Sequence, residues 1–150
     1  MLKLEKLTNK EIKSIIRKIK ERYSCEFDDN YNFFRNKEGK VYIVNKKFLK
    51  AKIKHKLNSI GIYFCKYEKD GIRLSMEGVV LIKNPKKNVI KLNKIQFESW
   101  MLGDDLKLGE GRGYVILEYD GFFIGCGKSK DGIILNYVPK ARRMKDYKDF

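Results

Sequence analysis

The sequence predicts an α+β fold in two parts, with helices and strands mixed over residues 1–85 and strands dominant over residues 86–150. Three observations lead to this prediction. A capped amphipathic helix begins the first part, Asp-Gly turns separate alternating strands in the second, and the polar, proline-bearing stretch 84–88 lies between them. Such a stretch is typical of a boundary between structural units. The predicted first unit is a sandwich of helix and sheet.

The N-terminal helix is predicted from its cap and its apolar spacing. Thr8 and Glu11 have the spacing of a capping box, in which each side chain satisfies a backbone N–H of the other residue. Apolar residues then recur at helical spacing: Ile12, Ile15, Ile16, Ile19 and Tyr23. This pattern predicts an amphipathic helix over residues 9–22.

The remainder of the first part alternates short strands with capped helices. Strands are predicted at 41–44, 60–67 and 72–74, the last two joined by an Asp70-Gly71 turn. Asn45 and Ser75 are predicted N-caps of two further helices. The first would carry Phe48, Leu49, Ile53 and Leu57 inward, and the second would span residues 76–82 despite Gly78.

The second part begins with a strand at 89–92 and a helix from Asn93 through Trp100, closed by Gly103. A turn-rich connection, 103–113, leads to a β-meander with strands at 115–119, 122–126 and 133–137. Asp120-Gly121 and Asp131-Gly132 suit its hairpin turns, because a type I′ turn needs positive φ at both central residues. Gly125 and Gly127 indicate a bulge or a close backbone approach.

The net charge of the chain indicates that its partner is a polyanion. The alternative is a basic surface that only contacts solvent. The net charge is +15 and the isoelectric point is about 9.7. The chain carries 21 basic and 10 acidic residues before residue 86, against 13 and 9 from there on. The lysine-rich segment is either a solvated helix face or a patch that follows a phosphate backbone: Lys46, Lys47, Lys50, Lys52, Lys54 and Lys56.

A second cationic group follows the last predicted strand. Lys140, Arg142 and Arg143 would neutralise phosphates, with Lys128 close by and Arg112 as a weaker candidate. Tyr137 either stacks on an unpaired base or lies in the core as a strand aromatic.

The residues needed for catalysis, metal binding or cofactor binding are not evident. No GxGxxG follows a strand, no Walker loop occurs, and His55 is the single histidine. Asp104 and Asp105 are either a solvated turn, which is the usual role of such a pair, or paired catalytic carboxylates or Mg²⁺ ligands. We therefore predict a protein that is not an enzyme, with no cofactor and no metal.

Cysteine usage and hydropathy predict a cytoplasmic location. Cys25, Cys65 and Cys126 are odd in number and far apart, which favours buried thiols in a reducing compartment. No apolar run has the length of a membrane span, and no signal-peptide core opens the chain.

Several short motifs resemble those of known families. The first part resembles the N-terminal domain of the Nip-seven ribosome-assembly factors, through Leu7-Thr8-x-x-Glu11, Val41-Tyr42-x-Val44, Leu57-x-Ser59-x-Gly61-x-x-Phe64-x-Lys66 and Arg73-Leu74. The second part resembles that family's PUA module, through Val89-x-Lys91, Phe97, Leu102-Gly103, Leu106, Leu108, Gly113-x-Val115 and the hairpin at 120–127. The tail Asn136-Tyr137-x-Pro139-Lys140-x-x-Arg143 is closer to the PUA-like tail of Fmu/Sun ribosomal-RNA cytosine methyltransferases.

The resemblance implies an N-terminal α/β domain packed on a small PUA-like β-barrel that binds RNA. It implies a non-catalytic role on ribosomal RNA or its precursor, in large-subunit assembly or in RNA processing and modification. Two alternatives stay open. One is a protein-interaction adaptor whose charge is incidental, and the other is a detached RNA-targeting subunit of a modification enzyme such as a methyltransferase.

Overall fold

The computed structural model describes residues 4–47 and 61–146. It contains helices and two five-stranded sheets. The elements in chain order are β1 (Glu5–Lys6), α1 (Asn9–Tyr23), β2 (Tyr31–Arg35), β3 (Lys40–Asn45), β4 (Ile62–Glu68), β5 (Gly71–Leu74), α2 (Met76–Leu81), β6 (Val89–Lys91), α3 (Lys94–Met101), β7 (Leu106–Lys107), β8 (Gly113–Tyr119), β9 (Phe122–Lys130), β10 (Ile133–Leu135) and a 3-10 turn (Lys140–Arg142).

The two sheets divide the chain in sequence order. The first sheet has the order β1-β2-β3-β4-β5, with antiparallel neighbours throughout. The second sheet has the order β6-β8-β9-β10-β7, and its β6–β8 pair is parallel. One of the two sheets curls into a half-barrel. The mixed α and β content predicted from the sequence is therefore confirmed.

The predicted N-terminal helix is present, and its ends are set by the expected caps. The Thr8 N–H donates to Glu11 Oε1 at 3.1 Å, and the Glu11 N–H donates to Thr8 Oγ1 at 3.2 Å. The helix ends at Tyr23, where Ser24 takes a left-handed conformation with φ of 46°. Ile15, Ile19 and Tyr23 are buried on its inner face.

Three local predictions differ from the structure. The connection 103–113 contains the two-residue strand β7, which pairs with β10 through backbone hydrogen bonds that no local pattern shows. Strand β10 ends at Leu135 rather than at residue 137. After it, the Val138 N–H donates to the Asn136 side chain instead of to a neighbouring strand. The turn between β4 and β5 is formed by Lys69 and Asp70.

The predicted helix after Asn45 lies largely outside the described residues. Asn45 Oδ1 accepts the Lys47 N–H at 2.9 Å, as an N-cap would. Phe48, Leu49, Ile53 and Leu57 belong to the part of the chain that is not described.

The hairpin predictions in the meander are confirmed. Asp120 and Gly121 have φ of 51° and 83°, and Asp131 and Gly132 have φ of 53° and 79°. The register of β8 and β9 shifts between Leu117 and Glu118, opposite the stretch that begins at Gly125, so the expected bulge is present there.

The second sheet is covered on both faces, and this coverage links the two halves of the chain. One face packs with α3, around Trp100, Val115 and Ile134. The other face contributes Tyr114, Ile116 and Cys126 to the same buried cluster as the inner residues of α1. The two sheets therefore share one apolar core along part of their surfaces.

Hydrogen bonds at the end of α1 join it to the second sheet. Arg22 donates from Nε and Nη2 to the Tyr114 carbonyl, at 3.0 and 2.7 Å, and also to the Arg112 carbonyl. Asn88 Nδ2 donates to the Arg22 carbonyl at 2.6 Å. The predicted boundary stretch 84–88 thus contacts the first part directly, and a domain boundary there stays a prediction.

Cys25, Cys65 and Cys126 are buried free thiols, as predicted. Burial raises the pKa of the Cys126 thiol to about 11, so this thiol is protonated at neutral pH. Among the helices described, none combines the length and apolar character needed to cross a bilayer.

Gly127 and Gly125 provide a matched pair that tests the close packing of β9. A Cβ at Gly127 would lie 2.5 Å from Ile134 Cγ2 and 2.8 Å from Trp100 Cη2, so Gly127→Ala must displace core side chains. We expect it to lower the free energy of unfolding by about 1–3 kcal/mol, the usual cost of overpacking. Urea unfolding monitored by circular dichroism measures this change.

Gly125→Ala is the control, because its added methyl would make only ordinary contacts, 3.7 Å from Trp100 Nε1 and 3.9 Å from Met76 Cγ. We expect the free energy of unfolding of this variant to stay close to that of the native protein. Equal destabilisation by the two substitutions would contradict the packing described here.

Candidate nucleic-acid interface

The face of the second sheet that packs on α1, named here the outer face, is covered by the first half of the chain along only part of its length. Its uncovered part carries a line of exposed cations. Lys107 and Lys130 both pair with Ile133, so these two side chains lie on the same face, on either side of Ile133. Arg112 precedes Gly113, which pairs with Ser129, and so lies level with Lys130. Lys107, Arg112 and Lys130, named here the cationic row, are all exposed.

The cationic row keeps its charge available for a ligand. None of its members forms an ion pair with an acid among the described residues. Asp105, Glu110 and Asp131 are the acids closest to it in sequence, and all three are exposed. A line of unpaired cations across one sheet face is suited to a run of phosphates.

Lys128 lies two residues before Lys130 on β9, and its ammonium group has an acidic partner. Its Nζ forms an ion pair with Asp70, whose Oδ1 also accepts a hydrogen bond from the Tyr114 hydroxyl at 2.7 Å. The Asp70 carboxylate raises the pKa of Lys128. Burial and the Asp70 hydrogen bond raise the pKa of Tyr114. Lys128 therefore contributes less net charge to the surface than the cations of the row.

Tyr137 is half-buried and lies at the junction of the two sheets. The Arg73 guanidinium carbon lies 4.1 Å from the centroid of its ring, a cation–π contact. Arg73 is itself paired with Glu68. Arg73 Nε donates a hydrogen bond to Glu68 Oε1 at 3.2 Å, and Arg73 Nη2 forms an ion pair with the same oxygen at 3.2 Å. One face of Tyr137 is thus occupied by Arg73, and base stacking by this tyrosine stays a prediction.

A second group of cations extends from this junction across the first sheet. Lys40 pairs with Lys66 across β3 and β4, and Lys66 pairs with Arg73 across β4 and β5. Lys40 Nζ lies 5.4 Å from the centre of the Tyr63 ring. Burial raises the pKa of Tyr63 to about 12. Glu68 is the acid that contacts both Lys66 and Arg73, so this group keeps a net positive charge.

The tail residues predicted to contact phosphates have different environments. Lys140 is exposed and forms no ion pair within the described chain. Arg142 forms an ion pair with Glu77 of α2. Arg143 is half-buried, with Nε donating to the Val138 carbonyl at 3.0 Å and its side chain packed against Gly103. Their roles as RNA contacts stay predictions. Of the three, Lys140 is the exposed cation without an ion pair among the described residues.

Asn136 fixes the course of the tail. Its Nδ2 donates to the carbonyls of Trp100 and Asp104, at 2.8 and 2.9 Å, and its Oδ1 accepts the Val138 N–H at 2.8 Å. The Asn136 N–H donates to Asp105 Oδ1 at 2.8 Å. The motif at 136–143 therefore has a structural basis, because Asn136 orients the backbone that carries Tyr137 and Lys140.

A small cavity opens beside Tyr137, between the two sheets. It has a volume of about 180 Å³ and is lined from both halves of the chain, with Tyr63 and Arg73 on one side and Gly125 and Tyr137 on the other. Trp100 also lines it, and this side chain is 0% exposed. Trp100 Nε1 has no hydrogen-bond partner among the described residues. A buried N–H without a partner costs about 1–3 kcal/mol.

The lysine-rich segment is described only at its beginning. Lys46 and Lys47 are exposed and follow β3 directly. Lys50 and Lys54 lie outside the described residues, as do Lys52 and Lys56. Of the predicted contacts at 46–54, the structure therefore places Lys46 and Lys47.

The two adjacent aspartates of the sequence both have structural partners. Asp104 Oδ2 accepts a hydrogen bond from Ser99 Oγ at 3.0 Å, and Asp105 Oδ1 accepts one from the Asn136 N–H. Within residues 4–47 and 61–146, no group of three or more His, Cys, Asp or Glu side chains could hold a metal ion.

Sequence reasoning missed several members of this surface. The period-2 spacing of Lys128 and Lys130 was visible in the sequence and indicated one strand face. The position of Lys107 beside them depends on the β7–β10 pairing, which joins residues far apart in the chain. Arg73 and Trp100 meet the tail only through tertiary contacts, for which the sequence contains no local signal.

Two comparisons with known proteins bear on this surface. Residues 87–144 match the family model described as the methyltransferase RsmF PUA domain. Ribosomal RNA small subunit methyltransferase F of Shewanella oneidensis is 26% identical over 90 residues, which are 58% of this chain and 19% of that protein. A PUA-like domain of the RsmF type is therefore present in this chain, and the chain spans about a fifth of that relative's length.

The matched segment contains the cationic row, Lys128 and the tail. The predicted resemblance to the PUA-like domain of a ribosomal-RNA methyltransferase is thereby confirmed for the RsmF type, and the closer resemblance of the tail to the Fmu/Sun type stays a prediction. The resemblance of the first half to Nip-seven factors stays a prediction.

The ion pair between Asp70 and Lys128 gives a pH test. Hydrogen bonds from Lys128 and then Tyr114 lower the pKa of the Asp70 carboxyl below its ordinary value of 3.8. A depressed pKa in the folded state stabilises the protein above the unfolded-state pKa, and this contribution is lost as the pH falls through the folded-state pKa. We expect the native protein to unfold at higher urea than Asp70→Asn at pH 7, with the difference shrinking as the pH falls below 3.8.

Urea unfolding of both proteins between pH 7 and pH 2 measures that difference, and the subtraction cancels the other titrating groups. Asp131→Asn is the matched control, since Asp131 is an exposed turn residue that forms no ion pair among the described residues. A difference that persists unchanged to pH 2 would contradict the ion pair.

Proposed function

We propose that this chain is a non-catalytic RNA-binding protein that contacts RNA through the outer face of its second sheet. The observation that carries the proposal is the cationic row, three exposed and unpaired cations on the uncovered part of a PUA-like module. The net charge of +15 supports a polyanionic ligand. The proposed target is ribosomal RNA or its precursor, because the matched relative is by name a ribosomal RNA methyltransferase.

The surface has the chemistry that suits RNA with unpaired nucleotides. Phosphates would lie along Lys107, Lys130 and Arg112, and Lys140 would extend the contact past the sheet edge. Half-buried aromatic rings at the sheet junction would meet splayed bases, as is common in the recognition of single-stranded RNA. Lys46 and Lys47 would supply a separate electrostatic contact.

A second candidate is a detached RNA-targeting subunit of a modification enzyme. It is favoured by one observation, namely that the similarity to a methyltransferase is confined to a segment equal to 19% of that enzyme. In this proposal the chain delivers RNA to a methyltransferase that acts in trans. Affinity purification of the tagged protein, with and without ribonuclease, tests it. A methyltransferase retained after ribonuclease treatment supports the proposal, and its consistent absence contradicts it.

The cationic row gives the direct test of RNA binding. We expect replacement of Lys107, Lys130 and Arg112 by Gln to weaken binding to a ribosomal RNA hairpin at least about tenfold at low salt. The slope of log affinity against log salt should fall by about two to three, since each lost phosphate contact removes roughly one. Fluorescence anisotropy of a labelled hairpin over a salt titration measures both quantities.

The matched control replaces Lys10, Lys13 and Arg17 by Gln. These residues are exposed on α1, away from the second sheet, and have the same composition of two lysines and one arginine. If both variants lose the same affinity and slope, binding depends on net charge alone and the proposed interface is wrong. If the native protein prefers the hairpin no more than a synthetic polyanion, RNA recognition is excluded.

A further inference from the structure

The cavity between the two sheets is lined by three kinds of groups. Its lining includes the aromatic rings of Tyr63 and Tyr137, the cations Lys40 and Arg73, and the buried Trp100. These residues come from β3, β4, β5, α3 and the segment after β10. The cavity therefore exists only because the two halves of the chain pack together.

One residue that lines the cavity has an unused hydrogen-bond donor. Trp100 is fully buried, and its Nε1–H has no acceptor within the described part of the chain. Gly125 lies beside this atom, since a Cβ there would lie 3.7 Å from Nε1. The indole N–H can only donate, so a ligand that satisfies it must bring an acceptor.

The size and lining of the cavity restrict that ligand. A volume of about 180 Å³ is below the roughly 300–1,000 Å³ of pockets for drug-sized molecules. A group the size of one flat ring system fits this limit, whereas a whole nucleotide does not. Aromatic walls favour a planar ring, and the cations Lys40 and Arg73 favour an anionic attachment.

The position of the cavity next to the proposed RNA surface restricts the ligand further. Pro139 lines it, and Lys140 follows directly in the chain. Glu77 also lines it, and its carboxylate is paired with Arg142, so the acid at this edge is neutralised. A phosphate backbone bound near Lys140 would therefore pass the mouth of the cavity.

We propose that this cavity receives one unpaired nucleobase of the bound RNA, whose carbonyl oxygen accepts the hydrogen bond of Trp100 Nε1. Uracil, cytosine and guanine carry such an oxygen, and adenine does not. The rings of Tyr63 and Tyr137 flank the inserted base, and Lys40 meets its phosphate. This inference rests on the proposed function, because the base enters as part of an RNA strand.

Trp100 is the single tryptophan of the chain, so it reports on its own cavity. In a ¹H–¹⁵N spectrum the protein has one indole N–H signal from tryptophan. We expect hexameric oligouridylate to shift this signal and to change the tryptophan emission with the same midpoint. Hexameric oligoadenylate should produce a shift at least about threefold smaller at equal occupancy, because it offers no carbonyl oxygen.

Gly125→Ala is the variant that blocks the donor without disturbing the fold, because its methyl makes only ordinary contacts. We expect it to bind oligouridylate about tenfold more weakly, the order of one lost base contact. Its indole signal should no longer respond to the oligonucleotide. Ile95→Ala is the control substitution, since Ile95 is 78% exposed on α3 and does not line the cavity.

Anisotropy of the labelled oligonucleotide, recorded in parallel, separates the two proposals. If RNA binds while the indole signal stays unchanged, or if Gly125→Ala binds as well as the native protein, the base pocket is wrong and RNA binding stands. If no RNA binds at any salt concentration, the proposed function fails and the base pocket fails with it.

Discussion

The packing of α1 against one face of the second sheet is the constraint on which the rest of the structure depends. Tyr114, Ile116 and Cys126 are buried with the inner residues of α1. Arg22 strengthens this contact by donating to the Arg112 and Tyr114 carbonyls. The covered area ends near Tyr114, so the sheet beyond it stays exposed. The same packing thus buries one part of the face and leaves the cationic row accessible.

Interactions at the sheet junction determine which charges remain free. Asp70 pairs with Lys128, Glu68 contacts Lys66 and Arg73, and Glu77 pairs with Arg142. These acids partly neutralise the centre of the surface, where the aromatic rings and the cavity lie. The unpaired cations lie farther out, at the cationic row and at Lys140. This distribution suits an RNA whose phosphates follow the margins of the surface while its bases turn toward the centre.

Much of the fold was predictable because its signals are local. The capping box at Thr8, the two Asp-Gly turns of the meander and the close approach at Gly127 all depend on residues near one another in sequence or on backbone conformation. The candidate site was less predictable. Cationic residues could be found by counting charges, but their availability depends on ion pairs such as Asp70 with Lys128, 58 positions apart. Trp100 was predicted as an apolar helix residue, and nothing local showed that its N–H lacks a partner.

The most direct test of the central claim, that RNA lies on the outer face of the second sheet and across the junction, is a map of the contacts themselves. Ribosomal RNA hairpins carrying 4-thiouridine in the loop can be photo-crosslinked to the native protein and the attached peptides identified by mass spectrometry. We expect the crosslinks in peptides that contain Lys128–Ile133 and Tyr137–Lys140. Crosslinks confined to α1 or to the segment that follows β3 would contradict the claim and would assign the binding to the lysine-rich half of the chain.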